Sequence, residues 1–538
     1  MKTHPILVCT VASLFLGASP LSAKANWFSH SKRQSIALTP IGTVAADAEF
    51  ATSAAEIVAH DPTHQRLFVI NSAASHVDVV DISDPTAPAI IGALDTTSFG
   101  KAANSVAVKN GLIAVAVEAE VKTDPGTAVF FDTNLNFLSS VPVGALPDNI
   151  VFTPDGRKVL VANEGEPNDD YSIDPEGTIS IIDVSKGAAA LTAASVKTAD
   201  FKAFNYWIPQ GVRISGPNAT NAQDLEPEFI AVSENSRFAW VTLQENNAIA
   251  ILDINAARVI WISPLGTKDH SRNGNGLDAS DKDKAINIAT WPIRGMYMPD
   301  GITSFRHGPF ELLITANEGD TRDYSGFSDE GRIKDAVLDP GAFPDAAALQ
   351  DDTKLGRLKY SAVDGDRDGD GDIDTLYTFG ARSFSIRTAT GFLLYDSGDD
   401  FEQIIAEQAP EAFNVSNDNN TFDNRSDDKG PEPEGVAVGE VSGRTYAFIG
   451  LERVGGVMVY DITNPIRPEF VQWASNRNYV NEDGTPADPE APENGDLGPE
   501  GLVFIPAHES PNGKPLLAVG NEVSGTTTIY EINPAPGK

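Results

Sequence analysis

The sequence predicts an all-β fold: a β-propeller of seven or eight blades, in a single domain with long acidic loops. Three observations predict it. Units of similar layout begin near Glu56, Asn104, Asp148, Glu228, Asp300, Glu434 and Glu500. Within each unit, short apolar or alternating runs are punctuated by Gly, Asn, Asp and Pro, and helical periodicity is nearly absent. Repeated sheets of three or four strands at regular spacing are the signature of a propeller. Finally, acids recur at one register. Glu118, Glu164, Glu245, Glu318, Glu452 and Glu522 each follow the second apolar run of a unit, such as VLVAN or AFIGL.

Taken in chain order, the N-terminus has a basic start, a short apolar stretch and the small-residue site Ala23-Lys24-Ala25. This predicts a secretory signal peptide over residues 1–25, cleaved near Ala25, and hence a secreted protein, periplasmic or extracellular. Cys9 lies within that segment, so the mature chain has no disulfide and no thiolate chemistry. Residues 26–37 read as a leader and 38–534 as the propeller. The run SIALTPIGTVA is expected to pair with the last blade and close the ring, which removes exposed sheet edges. The interval between the units at Asp300 and Glu434 is about twice the usual one. A degenerate unit, SFSIRTATGFLLYDSGDDFEQI, is expected to fill part of it, which leaves seven or eight blades open.

The formal net charge of -37 argues against nucleic acid or anionic lipid as partner, because phosphate binding needs basic patches. No segment is long enough to insert in a membrane. The eight histidines do not cluster, and no G-x-S-x-G, H-E-x-x-H, Walker A or dinucleotide motif is present. Metal-activated water remains an available chemistry.

Upstream of each recurring glutamate a second polar position opens the preceding strand. These are Asn104, Pro147-Asp148, Pro227-Glu228, Pro299-Asp300, Pro433-Glu434 and Pro499-Glu500. The start of one strand and the end of its antiparallel partner share an edge, so each unit presents paired acids to one face. Two unit charges about 5 Å apart repel by roughly 3 kcal/mol at an effective dielectric near 20. A hard divalent cation relieves that cost, and calcium suits oxygen-only donors. The expected ligands are Glu164, Glu228, Asp300, Glu318, Glu434, Glu452, Glu500 and Glu522. A second metal such as iron, manganese or magnesium stays open beside calcium. Capping of strand ends is the alternative role for these side chains.

Two loops are near copies, ANEGEPNDDYSIDPEG from Ala162 and ANEGDTRDYSGFSDEG from Ala316. Long ordered loops tend to be functional. The insertion over residues 364–374 resembles the first half of a calcium loop, with Asp364, Asp366, Asp368 and Asp370 at alternate positions. Thr375 stands where an EF-hand has its bidentate glutamate, so a structural calcium is expected there, or a disordered acidic linker. Basic residues near the acids are Arg322, Arg382, Arg425, Lys429 and Arg453. Arg382 is expected to open the first strand of the degenerate unit, where other units place an acid. Arginine beside bound cations is a clamp for phosphate or carboxylate. Arg382 and Arg453 are accordingly the candidate catalytic residues, and salt bridging is the alternative.

The stretches ANEGEP, DLEPEFIAVS, TLQENNAIAILDI, FGARSFSI, FDNRSDDKGPEPEGVAVGE, GLERVGGVMVYDITNP, GPEGLVFIP and NEVSGTTTIYEI together resemble the choice-of-anchor I domain family, from about Leu38 onward. The resemblance implies a secreted or surface-attached bacterial protein related to a cell-surface glycoprotein, and some members carry an alkaline phosphatase label. The chain ends at IYEINPAPGK without a sorting anchor, which implies free secretion or periplasmic residence. The acidic rim is also similar in kind to calcium-dependent propeller alkaline phosphatases and phytases. Two functions stay open. One is a metal-dependent phosphoesterase acting on a small phosphate ester, with cations held by Glu164, Glu228, Glu318, Glu434 and Glu452. The other is a calcium-stabilised surface or matrix module that binds a glycan or a protein partner without chemistry. The oligomeric state is open in both.

Overall fold

A computed structural model describes residues 34–536. The predicted signal peptide, most of the predicted leader and Cys9 lie outside the described residues. Among the described residues, the predicted β-propeller is present as seven four-stranded sheets, five of them built from consecutive antiparallel strands. Their first strands are Ala54–Asp61, Ala102–Lys109, Pro147–Phe152, Ile230–Val232, Ile302–His307, Pro433–Val441 and Pro499–Ile505. Each first strand packs against that of the next sheet, and the seventh packs against the first, so the ring closes.

Closure comes from the chain's own N-terminal strand, as expected. Gln34–Ala45 pairs antiparallel with Thr526–Pro536 in the seventh sheet. The strand begins at Gln34, so it takes in the end of the predicted leader. Ile36 and Leu38 are buried between the sixth and seventh sheets, and fully burying such a side chain is worth about 1.5–3 kcal/mol. Each pair of neighbouring sheets has an apolar cluster of this kind. Ile70, Val79 and Val115 join the first and second sheets, and Leu160, Ile181 and Val241 join the third and fourth.

The expected degenerate blade is not a separate sheet. Ser383–Thr388 and Leu393–Asp396 are the third and fourth strands of the fifth sheet, and the rest of that segment enters the helix Asp400–Gln408. The long interval is instead an insertion between the second and third strands of the fifth sheet. Together with residues 267–296 it forms a three-stranded sheet of Thr267–Asp269, Ile293–Met296 and Leu376–Thr378. This annex has its own core, including Leu277, Ile333, Leu355 and Leu358. Alternating apolar residues report strands well, but they do not reveal which strands share a sheet.

The third strands of the first, third and sixth sheets, His76–Asp81, Thr178–Asp183 and Val457–Asp461, each end in an aspartate, and this has a structural explanation. Asp81, Asp183 and Asp461 accept the amide two residues on, from Ser83 (2.8 Å), Ser185 (3.0 Å) and Thr463 (3.0 Å). Such Asx turns end a strand at low cost.

The Asp-Gly and Glu-Gly pairs near the axis also follow from packing. A Cβ on Gly435 would lie 1.8 Å from the carbonyl oxygen of Glu500, and one on Gly301 would lie 2.3 Å from that of Glu434. Glycine therefore lets each acid's backbone meet its neighbour around the ring. Gly435→Ala is expected to cost at least about 1–3 kcal/mol, the range for overpacking, as read by urea denaturation. A wild-type midpoint would contradict the close approach.

Candidate functional site

The site is built at the tops of the first two strands of each sheet. A β-bulge interrupts the first pairing between Ala54 and Val58, Ala103 and Ser105, Pro147 and Ile150, Pro433 and Val436, and Pro499 and Leu502. Within those bulges lie Glu56, Asn104, Asp148, Glu434 and Glu500. A bulge adds an unpaired residue and re-aims its side chain. The residue before the proline takes a left-handed conformation in four sheets, with φ of 46° at Leu146, 42° at Met298, 51° at Glu432 and 71° at Gly498. Three of these are not glycine, so the backbone carries strain where the acids converge.

The acids meet in a well of about 350 Å3 at the axis, lined by eleven carboxylates and two cations, Lys429 and Arg453. Of the predicted ligands, Glu164, Glu228, Asp300, Glu318, Glu434, Glu452 and Glu500 line it. Glu522 stands beside the well, where it groups with Glu56 and Glu500, one oxygen from each within 4.8 Å of the others. A second such group is Asp300, Glu318 and Glu434, and a third is Glu318, Glu432 and Glu452. Glu118 instead pairs with Lys101 at 2.9 Å.

Burial raises the carboxyls of Glu164, Glu228, Asp300, Glu434, Glu452 and Glu500 well above the ordinary range, and neighbouring acids add to it in each. Glu245 is raised to about 7 and Asp148 to about 6, again chiefly by burial. Glu56 reaches about 8 by burial, with Glu522 and Asp148 contributing. Glu228 and Glu245 are only 8% and 7% exposed, and an oxygen of each has no hydrogen-bond partner. One oxygen each of Glu434 and Glu500 is also buried and unpartnered. Buried carboxylate oxygens without donors are costly, and a cation satisfies several at once.

Part of the ring is neutralised internally. Lys429 contacts Glu318 (2.8 Å), Glu432 (3.2 Å) and Asp320 (3.5 Å). Arg453 contacts Glu452 (3.2 Å) and Glu432 (3.3 Å). Burial works to raise the Glu432 carboxyl, but Lys429, Arg425 and Arg453 hold it below the ordinary range. Glu432 was not among the expected ligands; its only sequence signal is the acid just before Pro433. Asp148, Glu166, Glu245 and Asp320 also line the well, although Glu166 and Asp320 lie outside the repeating register.

Arg382 requires a correction. It opens the third strand of the fifth sheet rather than the first strand of an eighth unit, and it does not line the well. It is 5% exposed and pairs with Glu402 at 2.5 Å. It also donates to the carbonyl oxygens of Asp278, Ser426 and Asp428. Both terminal nitrogens of its fork are thus engaged by the chain itself, which suits anchoring of the annex rather than holding a phosphate. Asp423 lies in the same cluster, bonded to Ser426, and burial pushes its carboxyl up to about 8. A folded value above the unfolded one favours folding in acid, and that contribution is lost as pH rises through about 8. Asp423→Asn is therefore expected to flatten the fall in stability between about pH 4 and 8, measured by urea melts. An unchanged slope would refute it.

The calcium-like loop is also rearranged. Asp364 turns inward to Arg213 (2.7 Å) and Ser361 (2.7 Å), away from its predicted partners. Asp366 and Asp368 group with Asp374, and Asp374 also groups with Asp339 and Asp372. Asp370 belongs to neither group and accepts the amide of Asp372 at 3.2 Å.

The two copied loops touch each other. The Asp169 carbonyl accepts from the Gly326 amide (2.7 Å) and the Ser325 hydroxyl (3.0 Å), and Tyr171 packs edge-on to Tyr324 and Phe327. Arg322, from the second loop, is buried against Glu226 (3.0 Å). Both loops thus brace one side of the well.

A propeller with an acid-lined axial well is the class that fold and site define. The choice-of-anchor I domain model matches residues 56–465, and the chain belongs to that family. Gigasin-3a of Magallana gigas is 33% identical over 204 residues, covering 35% of this chain and 70% of that protein. The mesenchyme-specific cell surface glycoprotein of Strongylocentrotus purpuratus is 30% identical over 285 residues, 46% of this chain but only 36% of its own length. Among solved structures, Kuenenia stuttgartiensis hydrazine synthase aligns over 92% of this chain and 99% of that chain, with a TM-score of 0.45 and 12% identity. The Myceliophteria thermophila Cps50 (Swd1) β-propeller domain aligns over 92% and 100%, with a TM-score of 0.42 and 9% identity. Among the described residues no helix is long and apolar enough to cross a membrane.

Proposed function

We propose that the protein is an exported, cation-dependent binding module of the cell surface or matrix, with calcium or a similar hard cation held in the axial well. The observation that carries this reading is the pair of buried, unpartnered carboxylate oxygens on Glu228 and Glu245 in a well of oxygen donors. The donor set contains no sulfur and no imidazole, which favours calcium, magnesium or manganese over zinc or copper. Similarity to a cell surface glycoprotein is consistent with such a role.

A second reading is metal-assisted hydrolysis of a phosphate ester, favoured by Arg453 and Lys429 lining the same well. There, bound cations would polarise the ester and activate water, while Arg453 would steady the phosphate. Its weakness is that both cations are already engaged by Glu318, Glu432 and Glu452.

The experiment measures metal content of the purified chain, then turnover of a chromogenic phosphate monoester at alkaline pH with calcium, iron or manganese. Bound divalent metal without turnover is the expected result. Turnover abolished by chelator and by Arg453→Ala would establish the second reading. Failure to retain any divalent cation would refute both.

A further inference from the structure

Arg387 is a buried charge with no counter-ion. It lies on the third strand of the fifth sheet, opposite Leu393, and is 1% exposed. Nη1 donates to the carbonyl oxygens of Leu265 (3.4 Å) and Gly391 (3.2 Å). Nε and Nη2 are buried and have no acceptor. The guanidinium lies over the Tyr297 ring, 4.5 Å from its centre. Asp396, on the neighbouring strand, is already taken by Lys268 (2.9 Å), Ser383 (2.8 Å) and Ser385 (2.9 Å).

Other buried arginines show how unusual this is. Arg213, Arg322 and Arg382 each pair directly with a carboxylate. Arg477 lacks one, but four oxygens accept from it, those of Arg453, Val454, Ser416 and Asn420. Burial pushes the Arg387 guanidinium down to about 10, with Tyr297 and Asp396 working against the fall.

A cavity of about 380 Å3 adjoins this side chain, between the fourth and fifth sheets. Pro264, Leu265, Phe392 and Leu393 form its apolar wall, and Phe392 is 71% exposed at the rim. It shares no lining residue with the acidic well. Nε and Nη2 are the pair of nitrogens that grips a planar carboxylate side-on. We propose that this cavity takes a small carboxylate, held by Nε and Nη2 of Arg387 with its apolar body against Leu265 and Phe392. A phosphate dianion fits less well, because one guanidinium in an apolar wall balances one charge and a chain of net charge -37 repels the second. A free carboxylic acid and the C-terminus of a peptide share this chemistry.

The test is calorimetric titration of the full chain with benzoate, and with the dipeptide Ala-Phe carrying a free or an amidated C-terminus. Saturable binding of benzoate or of the free dipeptide supports the site. Benzoate alone would identify a free acid as the ligand class, and the dipeptide alone a chain terminus. Arg387→Lys keeps the charge but loses the fork, and is expected to weaken binding at least about tenfold. Phe392→Ala changes an exposed side chain, leaves the fold intact, and is expected to weaken binding about threefold. No saturable binding of either free carboxylate to the wild type overturns the proposal. So does equal binding of the amidated dipeptide, or affinity unchanged in both variants.

Discussion

Calcium at about one hundred times its dissociation constant is expected to stabilise the wild-type chain by about 2.7 kcal/mol for each site filled. Globular chains melt with an entropy of about 2.1 cal/mol/K per residue, so about 500 residues lose about 1 kcal/mol per degree near the midpoint. One filled site then raises Tm by about 2–3 °C, and the separate acid groups around the well add to that. The source of the effect is the desolvated ring, where Glu228, Glu245, Glu434 and Glu500 each hold a buried oxygen without a donor. Glu228→Gln with Glu245→Gln keeps the shape while removing two charges. In excess chelator that double variant is expected to be at least as stable as the wild type, because less charge is buried. In calcium its gain should shrink by at least half. Differential scanning calorimetry with chelator, calcium, magnesium and manganese decides the matter. A wild-type midpoint that ignores all of them would mean that the well holds no cation.

Arg382→Ala is expected to lower stability by about 3–5 kcal/mol, the cost of leaving one member of a buried ion pair alone. Glu402 would lose its 2.5 Å partner while Asp278 and Asp423, both raised chiefly by burial with Glu402 contributing, remain in the same cluster. Three carbonyl oxygens would lose their donor as well. Urea denaturation at pH 7 measures the loss. Calcium affinity of the folded fraction should stay at the wild-type value, because Arg382 does not touch the well. Stability within about 1 kcal/mol of wild type, together with a changed cation or phosphate response, would return this residue to the site.

Much of this molecule was legible as repetition. Strand alternation, the Asp-terminated third strands and the N-terminal closing strand follow from side-chain periodicity and from turn chemistry that acts over a few residues. The paired acids were readable for the same reason, since a hairpin places its two ends on one edge. Glu166 and Asp320, which escape that register, could be recognised only once the loops carrying them were folded over the well.

What stayed hidden was pairing at a distance. Arg382 looks in sequence like the opener of an eighth unit, because an alternating strand is the same string of residues wherever it docks. The insertion that separates the second and third strands of the fifth sheet decides where it goes, and so turns an expected phosphate clamp into an internal brace. The partners of Asp364 and Lys429 are likewise set by segments far along the chain. By itself, then, the sequence determined a closed ring of β-sheets with acids on one face, because those properties are periodic and local. The tertiary structure alone decided which acids share the well and which are already paired. It also left Arg387 without a counter-ion, since ion pairing and burial depend on neighbours that only the closed ring brings together.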